Sequence, residues 1–130
     1  MIHLHNHSHY SIIGNKLDAL CTIESLIQAA KNAKMVALAL TDHGVLSGIL
    51  KFYLECKKQN IKPILGIEAY FVEDIEIKEK DKEWYRHLIL LAMDYEGYFN
   101  LIKLSSVAGV NGFYKFPRLD WDLLKRYSNG

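Results

Sequence analysis

Long apolar runs are missing from this 130-residue chain. The longest, such as Leu88 to Met93, fall far short of the ~20 apolar residues a membrane-spanning helix needs. A charge of one sign is missing too. Sixteen Lys and Arg face fifteen Asp and Glu, a net charge of +1, so no bulk field announces a nucleic-acid or membrane partner. Cysteine is scarce. Cys21 and Cys56 are isolated and fit neither a disulfide framework nor a zinc ribbon; they read as small buried apolar residues in a reducing cytosol. The start carries no basic segment followed by an apolar stretch, so no signal peptide is read and a soluble cytoplasmic protein is the expectation. There is no internal repeat, no low-complexity tract and no phosphate-gripping P-loop. Ser8 and Ser11 lack the Gly-x-Ser-x-Gly setting, which sets a serine nucleophile aside.

What is present is ordinary for a globular domain. Half the residues are apolar and 24% are charged, enough for one core but not for two. Ile2 to His7 alternates, with His3, His5 and His7 on one face, which predicts a strand. Thr22 predicts an N-cap for a helix burying Ile23, Leu26, Ile27 and Ala30. Met35 to Leu40 reads as a strand buried on both faces. A helix from about Leu46 to Asn60 is expected to bury Ile49, Phe52, Tyr53 and Cys56, and Ile64 to Val72 reads as the next strand. Short links between these elements argue for parallel pairing. Glu73 to Glu83 is a charged loop or hairpin tip, and Arg86 to Ala92 a strand. With no helix between it and the strand before, that pair should be antiparallel. A helix from about Tyr95 to Ala108 should carry Tyr98, Leu101, Ile102 and Ser105 on one side. Gly109 to Pro117 reads as loop, and Asp120 as the cap of a last short helix ending near Tyr127.

Three features carry chemistry. His3, His5, His7 and His9 crowd the first nine residues. Imidazoles two apart on a strand point the same way, so at least two can reach one metal ion; a set of surface histidines is the bland alternative. Thr41-Asp42-His43-Gly44 follows the second strand directly, and Glu68 lies on the third after Gly66. In an α/β barrel, polar side chains at the C-terminal ends of successive parallel strands converge on one rim. His5 and His7, then His43, then Glu68 take such positions in chain order, a mix of imidazole and carboxylate suited to Zn²⁺ or Mn²⁺. The other reading of Thr41-Asp42-His43-Gly44 is a capping turn, with Asp42 feeding the amides of the second helix. His87, at the start of its strand, lies at the wrong end for a parallel rim and reads as a structural histidine. Asp94 and Glu96 suit the positive end of a helix. The aromatic and basic loop from Gly112 to Arg118 could touch single-stranded nucleic acid, although packing of its aromatics under a loop is the favoured reading.

These residues resemble a known family. His5-Asn6-His7-Ser8 with Tyr10-Ser11 resembles the first motif of the polymerase and histidinol phosphatase (PHP) domain. Ala39 to Gly44 resembles its second and Gly66-Ile67-Glu68-Ala69-Tyr70 its third. Arg86-His87-Leu88 through Leu91-Ala92, Glu96-Gly97-Tyr98 through Leu104, and Gly112-Phe113-Tyr114 through Leu119 narrow the resemblance to the N-terminal domain of bacterial DNA polymerase III alpha subunits.

The resemblance implies a distorted β/α PHP barrel, seven-stranded in the family, of which residues 1–130 would be about the first half of a single domain. It implies several divalent ions, whether Zn, Mn, Fe or Mg. His5, His7, His43 and Glu68 match ligand positions. Asp18 stands where a further acidic or histidine ligand is expected, after a few extra residues from Ser11 onward, whereas His3 and His87 match no ligand position. Asp42 would orient a neighbouring ligand without touching metal. The remaining ligands, and the polymerising carboxylates, would lie beyond Gly130. The implied activity is metal-dependent phosphodiester hydrolysis, a 3′–5′ proofreading exonuclease in the parent polymerase, with DNA and other replicase subunits as partners. A non-catalytic scaffold domain and a free-standing phosphatase acting on small phosphomonoesters are the alternatives. Part of a barrel exposes a strand edge and an apolar face, so self-association of this chain is expected.

Overall fold

A computed structural model describes residues 1–13, 16–78 and 85–130. The elements run β1 (Ile12–Ile13), β2 (Lys16–Leu17), α1 (Ile23–Asn32), β3 (Ala37–Leu40), α2 (Ile49–Lys58), β4 (Lys62–Phe71), β5 (Arg86–Leu91), α3 (Tyr95–Val110), β6 (Phe113–Tyr114), β7 (Phe116–Leu119) and α4 (Trp121–Arg126). The charged stretch read as a loop or hairpin tip falls partly outside the described residues.

Strand β4 organises the sheet. Its first half pairs with β3 in parallel, Ala37 opposite Lys62 through Leu40 opposite Leu65. Its second half pairs with β5 antiparallel, Gly66 opposite Leu91 through Phe71 opposite Arg86. Beyond β3, the vacated edge is taken first by His43, bridged to Glu68, and then by β7, in parallel at Tyr70–Arg118 and Phe71–Leu119. Parallel β3–β4 and antiparallel β4–β5 are the pairings the link lengths predict.

Helix α1 forms where its cap and stripe place it. The Thr22 side chain accepts the Ser25 amide, and Ile23, Ile27 and Ala30 are buried. With Leu38, Leu40, Ile49, Phe52, Cys56 and Ile61 they make one apolar cluster between α1, α2 and β3. A second cluster joins Ala69 of β4 to Leu104 and Ala108 of α3, Leu119 of β7 and Leu123 of α4. Asp94 and Asp120 cap α3 and α4 by accepting the Gly97 and Leu123 amides.

Four expectations are corrected. Ile2 to His7 is not a regular strand: it makes one parallel bridge, His3 to Leu38. The amides of Ala39 and Thr41 donate to the carbonyls of His3 and Asn6 at 3.0 and 2.9 Å, so three steps on one segment meet two on the other. That one-residue excess is the geometry of a bulge. The Asn6 side-chain amide fills the gap, donating to Ala39 O at 3.1 Å, and the Thr41 hydroxyl clamps the Asn6 backbone. Tyr53 is exposed because it lies on the flank of α2, away from the Ile49, Phe52 and Cys56 stripe. The buried face of α3 is Gly97, Asn100, Leu101, Leu104 and Ala108; Ile102 and Ser105 are only half-buried, because β4 and β7 meet the helix on the other side of Leu101. Finally, Gly109 to Pro117 contains strand: β6 and β7 form a tight hairpin turning at Lys115, which takes φ 61°.

Candidate metal centre

The sequence places the site where β3 and β4 end. Two main-chain hydrogen bonds lock the turn after β3 onto β4: Glu68 N donates to Asp42 O (3.1 Å) and Gly44 N to Glu68 O (2.9 Å), which together make the parallel bridge between His43 and Glu68. Gly44 makes the turn possible, at φ +63°, and an added Cβ there would lie 2.5 Å from Pro117 Cγ.

Glu68 is the centre. It is only 2% exposed, yet its carboxylate meets four imidazoles. Oε2 contacts His5 Nε2 and lies 2.8 Å from His7 Nε2; Oε1 contacts His87 Nδ1 and lies 3.8 Å from His43 Nδ1. Asp18 reaches the far side of His43, with Oδ2 3.3 Å from Nε2, and is 39% exposed. The His7 and His43 rings stack with centroids 4.3 Å apart. Three overlapping donor sets result: His5, His7 and Glu68; His7, Asp18 and His43; and His43, Glu68 and His87. Within each set the donor atoms lie within 4.8 Å of one another.

Electrostatics favour the ligating forms of His43 and Glu68. Burial pushes the His43 imidazole below its ordinary range, against the opposing pull of the Glu68 and Asp18 charges. Burial pushes the Glu68 carboxyl up, but hydrogen bonds from His5 and His87 and the charge of His43 outweigh it, and the group ends below its usual value. The donor set fits a divalent cation. His43 Nδ1 is buried with no hydrogen-bond partner, and a buried carboxylate surrounded by imidazoles is the ligand chemistry of Zn²⁺, Fe²⁺ or Mn²⁺.

Every residue read as a ligand, His5, His7, His43, Glu68 and Asp18, is brought together. His3 and His9 are not. His3 is exposed and joins none of the three donor sets, and His9 turns to Cys21 O and the Tyr10 ring. The placement of His87 is a correction. Because β5 runs antiparallel to β4, its start lies beside the end of β4, with His87 opposite Tyr70 and diagonal to Glu68 on one sheet face. The antiparallel reading of that pair was the signal that could have located it. For Asp42 it is the capping alternative that fails. It does not cap α2, whose N-cap Gly48 has no side-chain bond. Its buried carboxylate instead gathers the first motif, accepting Ser8 N (2.6 Å), Ser8 Oγ (2.8 Å) and Ser11 Oγ (3.0 Å). Ser11, not singled out as part of the site by its sequence setting, touches Asp42, His7 and His43 together.

A protein-family model described as the PHP domain matches residues 3–130. The chain is 48% identical over 132 residues to the DNA polymerase III subunit alpha of Borreliella burgdorferi, covering 99% of this chain and 11% of that protein. It is 48% identical to the same subunit of Chlamydia muridarum, with 99% and 10% covered. With the Aquifex aeolicus subunit it shares 40% over 137 residues, with 99% and 12% covered. The chain therefore spans about a tenth of the length of the curated relatives it matches. Among solved structures it resembles a protein from Bifidobacterium adolescentis described as a metal-dependent phosphoesterase, with a TM-score of 0.57 and 17% identity over 82% of this chain and 32% of that one. An amidohydrolase from Chromobacterium violaceum gives a TM-score of 0.51 and 18% identity, with 82% and 33% covered. At those identities the likeness is one of fold: this mixed α/β chain carries part of the PHP fold.

Proposed function

This chain belongs to the PHP domain family, and from that premise we propose that it forms the first part of the PHP domain of a replicative DNA polymerase III alpha subunit. In that protein it would contribute metal ligands for hydrolysing a phosphodiester at a DNA 3′ end, the reaction of a proofreading exonuclease. The observation that carries the reading is the buried Glu68 carboxylate with His5, His7, His43 and His87 around it. The names of the relatives support a polymerase setting over a free-standing phosphatase.

His5, His7, His43, Glu68 and Asp18 would hold the ions, with His87 joining them from β5. A divalent ion bound there lowers the pKa of a coordinated water and polarises a phosphoryl oxygen. The remaining work belongs to the chain. Glu68 draws imidazoles from three segments to one place. Burial lowers the affinity of His43 for a proton, which favours the form with a free lone pair. Asp42 acts at a distance, through Ser8 and Ser11, on the loop that carries His7. Outer partners of this kind set ligand orientation in metal sites.

The test has two steps. Metal retained through chelator-free purification should be about one equivalent per chain or more, and should be lost in His43→Ala and Glu68→Ala. In the full-length protein the same changes should abolish metal-dependent removal of a mispaired 3′ nucleotide. Retained metal with no nuclease activity would leave a scaffold domain; a chain that binds no Zn, Mn or Fe would sink the metal centre itself.

A further inference from the structure

We infer that Ser11 is a positioning residue that fixes the His7 ring as its Nδ1–H tautomer and so turns a bare Nε2 towards Glu68. The inference deepens the metal-centre reading and rests on it for its purpose, though not for its geometry.

The argument is a count of protons. Ser11 is fully buried, and its hydroxyl has one proton to give and two lone pairs to offer. Three groups surround it. Asp42 Oδ1 lies at 3.0 Å, the backbone N–H of His43 at 3.0 Å, and His7 Nδ1 at 2.9 Å. The Asp42 carboxylate already gathers both donors of Ser8 and can only accept, so the Ser11 proton goes to it. A backbone N–H can only donate, so it takes one lone pair. The last lone pair faces His7 Nδ1, which must supply the proton. A neutral imidazole has only one N–H, which leaves Nε2 as a lone pair.

That lone pair lies 2.8 Å from Glu68 Oε2 and 3.0 Å from His5 Nε2. Two acceptors as close as His7 Nε2 and Glu68 Oε2 are compatible when a cation lies beside them. Without Ser11 a neutral imidazole in water favours the proton on Nε2, the atom this arrangement needs bare. Ser11 therefore selects the ligating form before any ion arrives. The same hydroxyl receives the His43 amide, so one side chain sets the ring of one ligand and the backbone of another. The chain Asp42–Ser11–His7 also gives the buried Asp42 its route to the site.

The experiment reads the tautomer in metal-free protein. The chain is labelled with ring-¹⁵N histidine, stripped with chelator and examined at about pH 8, above the ordinary imidazole range. His7 is assigned by its loss in His7→Gln. The expected result is Nδ1–H in wild type, Nε2–H in Ser11→Ala, and Nδ1–H again in Ser11→Thr, which restores the hydroxyl. Zn²⁺ affinity by chelator competition should fall ~10–100-fold in Ser11→Ala and recover in Ser11→Thr. Should Ser11→Ala fail to fold, wild type and Ser11→Thr decide. Wild-type His7 with its proton on Nε2, or on both nitrogens, overturns the proposal, as does a folded Ser11→Ala that keeps Nδ1–H. An Nδ1–H His7 in a chain that takes up no Zn²⁺ upholds the role of Ser11 and removes the metal-centre reading instead.

Discussion

Two cysteines of equal chemistry are made unequal by their surroundings. Cys21 is exposed, whereas Cys56 is fully buried among Ile27, Leu38 and Phe52. Burial, with a smaller push from the nearby Glu55 charge, raises the Cys56 thiol from an ordinary 9.0 to about 12. The thiolate is the reactive form. One thiol per folded chain should therefore react with a thiol reagent at about pH 8, and the second only on unfolding; two equally fast thiols in native protein would contradict the packing. The sign of the linkage follows. In the folded chain the proton is held more tightly than in the unfolded one, so the stabilisation is complete below the ordinary thiol range. It is lost as pH rises from 9.0 towards about 12.

Strand β4 has a narrow point between its neighbours. At Gly66 an added Cβ would lie 2.6 Å from Leu90 O and Leu91 Cδ2 and 3.0 Å from Thr41 Cγ2. The first contact is backbone of β5, which cannot swing away. Gly66→Ala should therefore destabilise the chain by about 1–3 kcal/mol, the range for overpacking. The check is the urea midpoint at unchanged slope, and a loss of only a few tenths of a kcal/mol would mean that β4 and β5 are more loosely paired than the register implies. The same elements show what a sequence can disclose. Helix α1 was legible because Thr22 and the Ile23, Ile27, Ala30 spacing state one period and one start. The first segment was not. Its alternation is real, but the competing hydrogen bonds of Asn6 and Thr41 are long-range and leave no local mark. The β6–β7 turn was hidden for a different reason. Lys115 takes a positive φ that residue statistics reserve mostly for Gly, Asn and Asp. At the site, His5 and His7 were legible by their two-residue spacing, His43 by its place directly after β3, and Glu68 by its place on β4. His87 was obscured because its direction depends on its partner strand, and Ser11 because its importance lies in three partners from distant residues.

At the scale of the molecule, the proposed metal centre would act as a cross-link. Its donors come from residues 5 and 7, 18, 43, 68 and 87, five segments that the apolar clusters hold unevenly. The first contributes nothing to either cluster: Ile2 and Leu4 are 44% and 47% exposed, and it is joined to β3 by one bridge and the hydrogen bonds around Asn6 and Thr41. Its outer edge carries no paired strand among the described residues, a template for association. An ion bound by His5 and His7 together with Glu68 would pin that segment to β4. Ligand that binds only folded chain adds stability by mass action, about 2.7 kcal/mol when free ion is a hundred times its Kd. For domains of this size that amounts to a rise in Tm of roughly 10 °C. Zn²⁺ should therefore raise Tm, chelator should reverse the rise, and Glu68→Gln should show neither. The same ion should slow hydrogen exchange in residues 1–7 more than in α1, whose packing does not pass through the site. Protection gained equally everywhere would mean that Zn²⁺ stabilises the chain from somewhere other than these five segments.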